Sequence, residues 1–96
     1  MHFEWDPIKS RQNEAKHKIA FERAVVLWND PDRVEILAPH PLENRYILIA
    51  NIEDRLWSAV YTLREGAVRI ISVRRSRKRE RDLYEKEKAR KDERRV

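Results

Sequence analysis

The residues best suited to act on a phosphate group are concentrated in the C-terminal quarter of the chain. Residues 74–96 hold 12 lysines and arginines against 6 acidic residues, whereas residues 1–73 hold 10 against 11. Arginine suits phosphate better than lysine, because its planar fork can donate to two oxygens at once. The candidate arginines come from one turn, one strand and the exit of that strand: Arg64, Arg69, Arg74, Arg75 and Arg77. This charge pattern indicates a protein that binds phosphate or an acidic partner.

Cleavage of RNA without a metal ion requires a base for the 2′-hydroxyl proton, an acid for the leaving oxygen and cations for the phosphate. Glu80 and Tyr84 are four residues apart, so both lie on one helix face near the arginines. His17 is distant in sequence, but histidine is the side chain that changes charge nearest to neutral pH. Each of these residues also has a structural alternative that stays open. Glu80 could serve only as an ion-pair partner of a neighbouring cation, Tyr84 as a packing anchor and His17 as a cation at a helix end.

Composition restricts the other chemistry open to the chain. There is no cysteine, so neither a disulfide nor a thiolate metal site can form. His2, His17 and His40 lie at unrelated spacings, which disfavours a zinc site, and we expect no cofactor. The single glycine, Gly66, excludes a glycine-rich phosphate loop. Since no apolar run is long enough to span a membrane and no signal-peptide pattern is present, we expect a cytoplasmic protein.

The N-terminal part of the chain is predicted to be helical. A chain of 96 residues is too short for two independent cores, so residues 1–96 are predicted to form one domain. Asp6 followed by proline is a typical helix start, with Asp6 as the N-cap of a helix over 7–17. A second helix is predicted over about 20–28, because its apolar residues recur with a 3.6-residue period. Residues 1–5 are predicted to be a short extended segment.

After these helices the pattern changes to that of strands. The β-branched residues of 68–74 predict an inner strand, and the run over 45–52 is apolar on both faces, as in a buried strand. Short turns join these to a strand over 56–63, which makes an antiparallel meander, and 34–38 is predicted as a fourth strand. A last helix begins at about residue 76. The sequence thus predicts an α+β protein: two N-terminal helices, a four-stranded antiparallel sheet and a C-terminal basic helix.

The end of the last helix differs in composition from the rest of the chain. Residues 86–96 contain almost no apolar side chain. We therefore expect a charged helical extension that is exposed to solvent and stabilised by ion pairs between residues four apart.

Short motifs over residues 3–85 follow the order found in a known toxin family. The N-terminal motifs are Phe3-Glu4-Trp5-Asp6-Pro7, Lys9, Asn13, Lys16-His17, Phe21-Glu22 and Ala24. The later motifs are Arg45-Tyr46, Val60-Tyr61-Thr62, Arg64, Arg69-Ile70-Ile71-Ser72, Arg74-Arg75, Glu80-Arg81 and Tyr84-Glu85. In this combination and order the chain resembles the BrnT-type toxins. One departure is Lys18, which stands where the family usually has glycine, so we expect the turn that ends the first helix to be rearranged.

The resemblance implies a fold similar to RelE-type ribonucleases and an RNA-cleaving toxin of a type II toxin–antitoxin system that inhibits translation. It also implies neutralisation by an antitoxin with a ribbon-helix-helix DNA-binding region, with operator DNA contacted only through that complex. The functional residues carried over from the family are Lys9, His17, Arg64, Arg69, Arg74, Glu80 and Tyr84.

Our hypothesis for the individual roles makes Arg64 and Arg74 a phosphate clamp, Glu80 or His17 the base and Tyr84 the orienting group. RNA-binding residues are then Lys9, Arg69, Arg75 and Arg77. Two other classes of function stay open: a non-catalytic basic module that binds nucleic acid or antitoxin, and a structural partner whose charges keep it soluble. A ribonuclease degrades RNA in the presence of a chelator, whereas a binding module shows a steep salt dependence and leaves RNA intact.

Overall fold

The structure, a computed structural model, describes residues 1–94, which form three α-helices, one 3₁₀ helix and a single five-stranded sheet in the order β1-β5-β4-β3-β2. The predicted α+β class is confirmed. The elements in chain order are β1 (His2–Glu4), α1 (Pro7–His17), α2 (Phe21–Ala24), the 3₁₀ helix (Val25–Asn29), β2 (Val34–Ala38), β3 (Arg45–Ile52), β4 (Arg55–Arg64), β5 (Ala67–Arg75) and α3 (Lys78–Arg94).

The sheet has five strands rather than the predicted four, because the N-terminal segment pairs with β5 in parallel. His2 lies opposite Ala67 and Glu4 lies opposite Arg69. Phe3 of this strand packs edge-on against Trp28, with ring centres 5.0 Å apart. Three residues give no recognisable alternation, and their partner strand lies near the other end of the chain. The sequence therefore showed an extended segment without showing that it joins the sheet.

The first helix begins and ends with local caps. The backbone N–H of Ile8 donates to Asp6 Oδ1 at 2.9 Å, as predicted for an N-cap. At the other end Lys18 adopts the left-handed conformation, with φ 66°, and its N–H donates to Glu14 O at 2.9 Å. The expected rearrangement of this turn is therefore wrong: a lysine takes the conformation that glycine adopts most readily.

The second predicted helix, over about 20–28, is divided in the structure. Only Phe21–Ala24 is α-helical, and Val25–Asn29 continues as a 3₁₀ helix. Two adjacent β-branched residues begin the 3₁₀ segment, and such side chains crowd the preceding turn of an α-helix. The last helix begins at Lys78 rather than at about residue 76, because Ser76 is buried against the sheet.

One face of the sheet packs against α1, α2 and the 3₁₀ helix to form the core. Along β4 the residues Trp57, Ala59 and Tyr61 are buried in this core. The intervening residues, such as Ser58 and Val60, point to the opposite face, because successive side chains of a strand alternate. We call this opposite face the open face. Its far end, where β4 begins and β5 ends, is covered by the start of α3.

A β-bulge in β5 decides which of its residues reach the open face. Val60 lies opposite Ser72 while Tyr61 lies opposite Ile70, so Ile71 has no partner on β4. The extra residue reverses the alternation. As a result both Ile70 and Val73 are buried in the core.

Asn13 attaches α1 to the edge of β5 beyond the end of β1. Its Nδ2 donates to Val73 O at 2.9 Å and to Ile19 O at 2.8 Å, and its Oδ1 accepts from Val73 N at 3.1 Å. The side-chain amide therefore makes the two hydrogen bonds with Val73 that a neighbouring strand would make. Asn13 is 7% exposed, so water cannot replace these bonds easily.

Replacement of Asn13 by alanine is expected to lower the free energy of unfolding by about 2–4 kcal/mol, because buried backbone groups of Val73 and Ile19 lose their partners. Urea unfolding measures this change. Gln12→Ala, at the exposed neighbouring position, is the matched control and should change the value by less than about 0.5 kcal/mol. Equal stability of the two variants would contradict the role given to Asn13.

Candidate functional site

A single carboxylate connects β4, β5 and the start of α3. Glu80 Oε1 accepts hydrogen bonds from Arg74 Nη1 at 2.7 Å, Ser58 Oγ at 3.0 Å and the backbone N–H of Arg77 at 2.7 Å. Its Oε2 accepts from Arg74 Nη2 at 2.9 Å, so the arginine binds in two-point fashion. Ser76 holds the Ser58 side chain in place, since the two hydroxyl oxygens lie 2.8 Å apart and form a hydrogen bond. Glu80 also satisfies a backbone donor of the first helical turn, as the glutamate of a capping box does.

These contacts hold Glu80 in its charged form. The hydrogen bonds from Arg74, with smaller contributions from the Arg77 N–H and the Ser58 hydroxyl, lower the pKa of this carboxyl to about 2 against the opposing effect of burial. The same hydrogen bond raises the pKa of Arg74. A carboxylate with so low a pKa is a weak base near neutral pH. The geometry therefore favours Glu80 as the group that positions Arg74 rather than as the base.

Tyr84 lies one helical turn after Glu80 and anchors α3 to the loop before β2. Its hydroxyl donates to Asp30 Oδ2 at 2.7 Å, and the same oxygen accepts the backbone N–H of Asn51 at 2.9 Å. Burial raises the pKa of Tyr84, and the hydrogen bond to Asp30 raises it further. Tyr84 is 3% exposed. This arrangement favours the structural alternative for Tyr84, that of a packing anchor.

The two arginines of the hypothetical phosphate clamp lie at opposite ends of the sheet. Arg64 is opposite Ala67 beside the β4–β5 turn, whereas Arg74 is opposite Ser58. Arg74 is seven positions after Ala67 on β5, which corresponds to about 23 Å along a strand. One phosphate cannot contact both side chains, so the clamp hypothesis is wrong as stated. Arg64 is instead 3.7 Å from Glu43.

The open face between these ends combines cations with a small apolar floor. In the pairing of β3, β4 and β5, Arg45 lies opposite Thr62, and Thr62 lies opposite Arg69. The next row of this face contains Ile47 and Val60, both half-buried. Arg69 approaches Glu4 at 3.9 Å. Arg45 was present in the sequence motifs but was not predicted as a site residue, because its position beside Arg69 depends on strand register.

A cavity of about 250 Å³ lies between α1 and the bulged part of β5. It is lined by Lys9, Gln12, Asn13, Lys16, His17, Ile71 and Ser72. The fold therefore brings together Lys9 and His17, which the sequence had proposed separately. Ser72 and Arg74 are two residues apart on β5 and so point to the same face. Lys9 and His17 thus lie beside Ser72, and Arg74 follows two positions along the same face of β5 without lining the cavity.

The remaining predicted RNA-binding arginines lie away from that region. Arg75 follows Arg74 but points to the helix side of the sheet, where its guanidinium carbon is 5.4 Å from the centre of the Trp57 ring. Arg77 is exposed just before α3 begins. Among residues 1–94, no group of three or more histidine or acidic side chains is arranged to hold a metal ion. In the same part of the chain, no helix is both long and apolar enough to cross a bilayer.

Comparison with known families decides the class of protein. A sequence model described as "Ribonuclease toxin, BrnT, of type II toxin-antitoxin system" matches residues 5–80. The chain belongs to the BrnT family. It is therefore a ribonuclease toxin of a type II toxin–antitoxin system, with RNA as its substrate and an antitoxin as its partner. No curated protein sequence matches the chain. The BrnT match includes Glu80 and all the site residues predicted before it, whereas Tyr84 lies beyond its end.

Replacement of Glu80 by glutamine is expected to destabilise the protein in a pH-dependent way. The pKa of Glu80 is lowered from 4.5 to about 2, so its charge stabilises the fold above about pH 4.5, and this contribution is lost as the pH falls toward 2. At pH 7 the variant should lose about 2–3 kcal/mol of unfolding free energy. Urea unfolding between pH 2 and pH 7 measures the difference.

Glu85→Gln, on the exposed side of α3, is the matched control for this experiment. Its effect should stay below about 0.5 kcal/mol at every pH. A difference between wild type and Glu80→Gln that is equally large at pH 2.5 and pH 7 would contradict the proposed ion pair.

Proposed function

We propose that this chain is a metal-independent endoribonuclease that cleaves RNA through attack of a 2′-hydroxyl on the adjacent phosphate. The observation that supports this most directly is that Lys9, His17 and Ser72 line one cavity, with Arg74 two residues after Ser72 on the same face of β5. The cations can stabilise charge on the phosphate, and the imidazole can act as the base. The carboxylate of Glu80 is already bound to Arg74.

In the proposed reaction His17 takes the proton of the 2′-hydroxyl, whose oxygen then forms a bond to phosphorus. The bond from phosphorus to the 5′-oxygen breaks, and that oxygen takes a proton from solvent water while protonated His17 returns its proton to solvent, so the products carry a 2′,3′-cyclic phosphate and a 5′-hydroxyl. Arg74 and Lys9 stabilise the negative charge that develops on the phosphate oxygens. Glu80 acts as a positioning residue, because it fixes the guanidinium of Arg74 from two sides.

RNA extends from this point across the open face in the proposal. Arg69 and Arg45 lie in a row about 13 Å from the row of Ser58 and Arg74, since four residues of β4 separate Thr62 from Ser58. These arginines therefore contact a different phosphate from the one that Arg74 contacts. Arg64, beyond them, contacts RNA only at the far end of the face.

The biological consequence that we propose is a block of translation, through cleavage of messenger RNA in the cytoplasm. An antitoxin with a ribbon-helix-helix region neutralises the toxin by covering the cations that it uses on RNA, and operator DNA is contacted only through that complex. The resemblance to BrnT-type toxins supports this partner. The arginines of the open face already pair with glutamates of the chain, and this affinity for carboxylates supports an acidic antitoxin segment.

Purified protein is expected to cleave single-stranded RNA in excess EDTA and to leave 2′,3′-cyclic phosphate ends, which mass spectrometry of the products detects. His17→Gln should reduce the cleavage rate by on the order of 10²–10⁴ with little change in thermal midpoint, because it removes the proton-transfer group. His40→Gln, in the loop between β2 and β3, is the matched control and should retain full activity.

Two results would overturn the proposed mechanism. One is a strict requirement for a divalent ion with 5′-phosphate products, and the other is wild-type activity in His17→Gln. If the wild-type protein bound RNA with a steep salt dependence but left it intact, the alternative of a non-catalytic basic module would replace the enzyme.

A further inference from the structure

A second cationic cavity lies on the helix side of the sheet, beside the turn between β3 and β4. Its volume is about 410 Å³, and it is lined by Lys18, Arg23, Ile52, Glu53, Arg55 and Trp57. We call it the Trp57 cavity. Arg75 adds a further cation, because its guanidinium lies over the Trp57 ring. Arg23 pairs with Glu53 at 2.9 Å, whereas Lys18 and Arg55 make no ion pair within residues 1–94.

The backbone of Lys18 is strained, while its side chain lines the Trp57 cavity. With φ 66° the residue lies in the left-handed region, which costs a residue with a Cβ atom about 1 kcal/mol or more relative to glycine. Its N–H donates to Glu14 O, and a glycine would make the same bond. A lysine at this position places a cation at the carboxyl end of α1, where the helix dipole favours positive charge. It also supplies a cation to the Trp57 cavity.

The Trp57 cavity adjoins the proposed cleavage site through two pairs of consecutive residues. His17 lines the cavity between α1 and β5, whereas the next residue, Lys18, lines the Trp57 cavity. Arg74 binds Glu80 on the open face, while Arg75 lies over Trp57. Side chains of consecutive strand residues point to opposite sides of the sheet, so an RNA strand that leaves the cleavage site reaches the Trp57 cavity by passing around the edge of β5.

We propose that the Trp57 cavity is an RNA subsite for a nucleotide that flanks the scissile bond, an inference that rests on the proposed function. Lys18 and Arg55 bind the phosphate of this nucleotide. Its base stacks on the guanidinium of Arg75, which the Trp57 ring supports from below. Only an unpaired base can stack in this way, so the substrate is single-stranded RNA rather than a duplex.

The test measures binding of a fully 2′-O-methylated single-stranded oligonucleotide, which lacks the attacking hydroxyl and cannot be cleaved. Lys18→Gly is the informative variant, since it removes the cation and leaves the backbone in a conformation that glycine adopts freely. Its thermal midpoint should be equal to that of the wild type or higher. Its affinity at low salt should fall several-fold, and the slope of log K against log salt should decrease by about 0.7, the value for one contact to a single strand.

Arg55→Gln should reproduce the loss of affinity and of slope from a different element of the fold. Arg11→Gln is the matched control, because Arg11 is an exposed cation of α1 that does not line either cavity. It should leave the affinity and the slope unchanged. With cleavable RNA, Lys18→Gly should raise KM and leave kcat within about twofold, because the subsite binds substrate and transition state equally.

The possible results separate the subsite from the proposed function. If Lys18→Gly and Arg55→Gln bind the oligonucleotide as Arg11→Gln does, the subsite is overturned, whether or not the protein cleaves RNA. If the variants weaken binding but the wild type leaves natural RNA intact, the ribonuclease mechanism falls, and the Trp57 cavity stands as a site for single-stranded RNA with no scissile bond beside it. If they weaken binding of a poly-glutamate peptide and not of the oligonucleotide, the cavity binds an acidic protein segment, and the RNA subsite is overturned.

Discussion

The arrangement of the candidate site depends on the carboxylate of Glu80. It accepts hydrogen bonds from Ser58 on β4, from Arg74 on β5 and from the backbone at the start of α3. Because these contacts, that of the arginine above all, lower the pKa of Glu80 to about 2, the carboxylate is charged near neutral pH. The contact that stabilises the start of α3 therefore also fixes the guanidinium of Arg74 at the end of the open face. Stability and positioning cannot be separated at this point of the structure.

Two further features bring the rest of the site to Arg74. The amide of Asn13 bonds both backbone groups of Val73, so α1 lies along the edge of β5 that β1 leaves free. This placement positions His17 beside the bulged part of the strand. The bulge at Ile71 then buries Val73 and leaves the following Arg74 on the open face. Without the extra residue the alternation would be reversed, and the charged side chain would point into the core.

Local signals in the sequence were sufficient for most of the elements. The aspartate cap of α1 and the apolar runs of β3, β4 and β5 were predicted near their observed bounds, because capping and alternation involve neighbouring residues. Two local features escaped prediction, the 3₁₀ helix that begins at Val25 and the left-handed turn at Lys18. The other features that escaped prediction depend on pairing between distant residues. These are the parallel strand β1, the bulge at Ile71, and the separation of Arg64 from Arg74 that follows from strand register. For the same reason Glu80 could be proposed for the site, but its engagement by Arg74 could not.

The central claim is that RNA binds at Arg74, Ser72 and His17, with its phosphates on the cationic side chains. Nuclear magnetic resonance of ¹⁵N-labelled protein with a 2′-O-methylated single-stranded oligonucleotide tests this claim most directly. On addition of the oligonucleotide, the largest chemical-shift changes are expected for the backbone amides of these three residues and for the guanidinium of Arg74. Smaller chemical-shift changes are expected along the open face as far as Arg69. Shifts confined to the exposed half of α3, with none at Arg74 or His17, would contradict it.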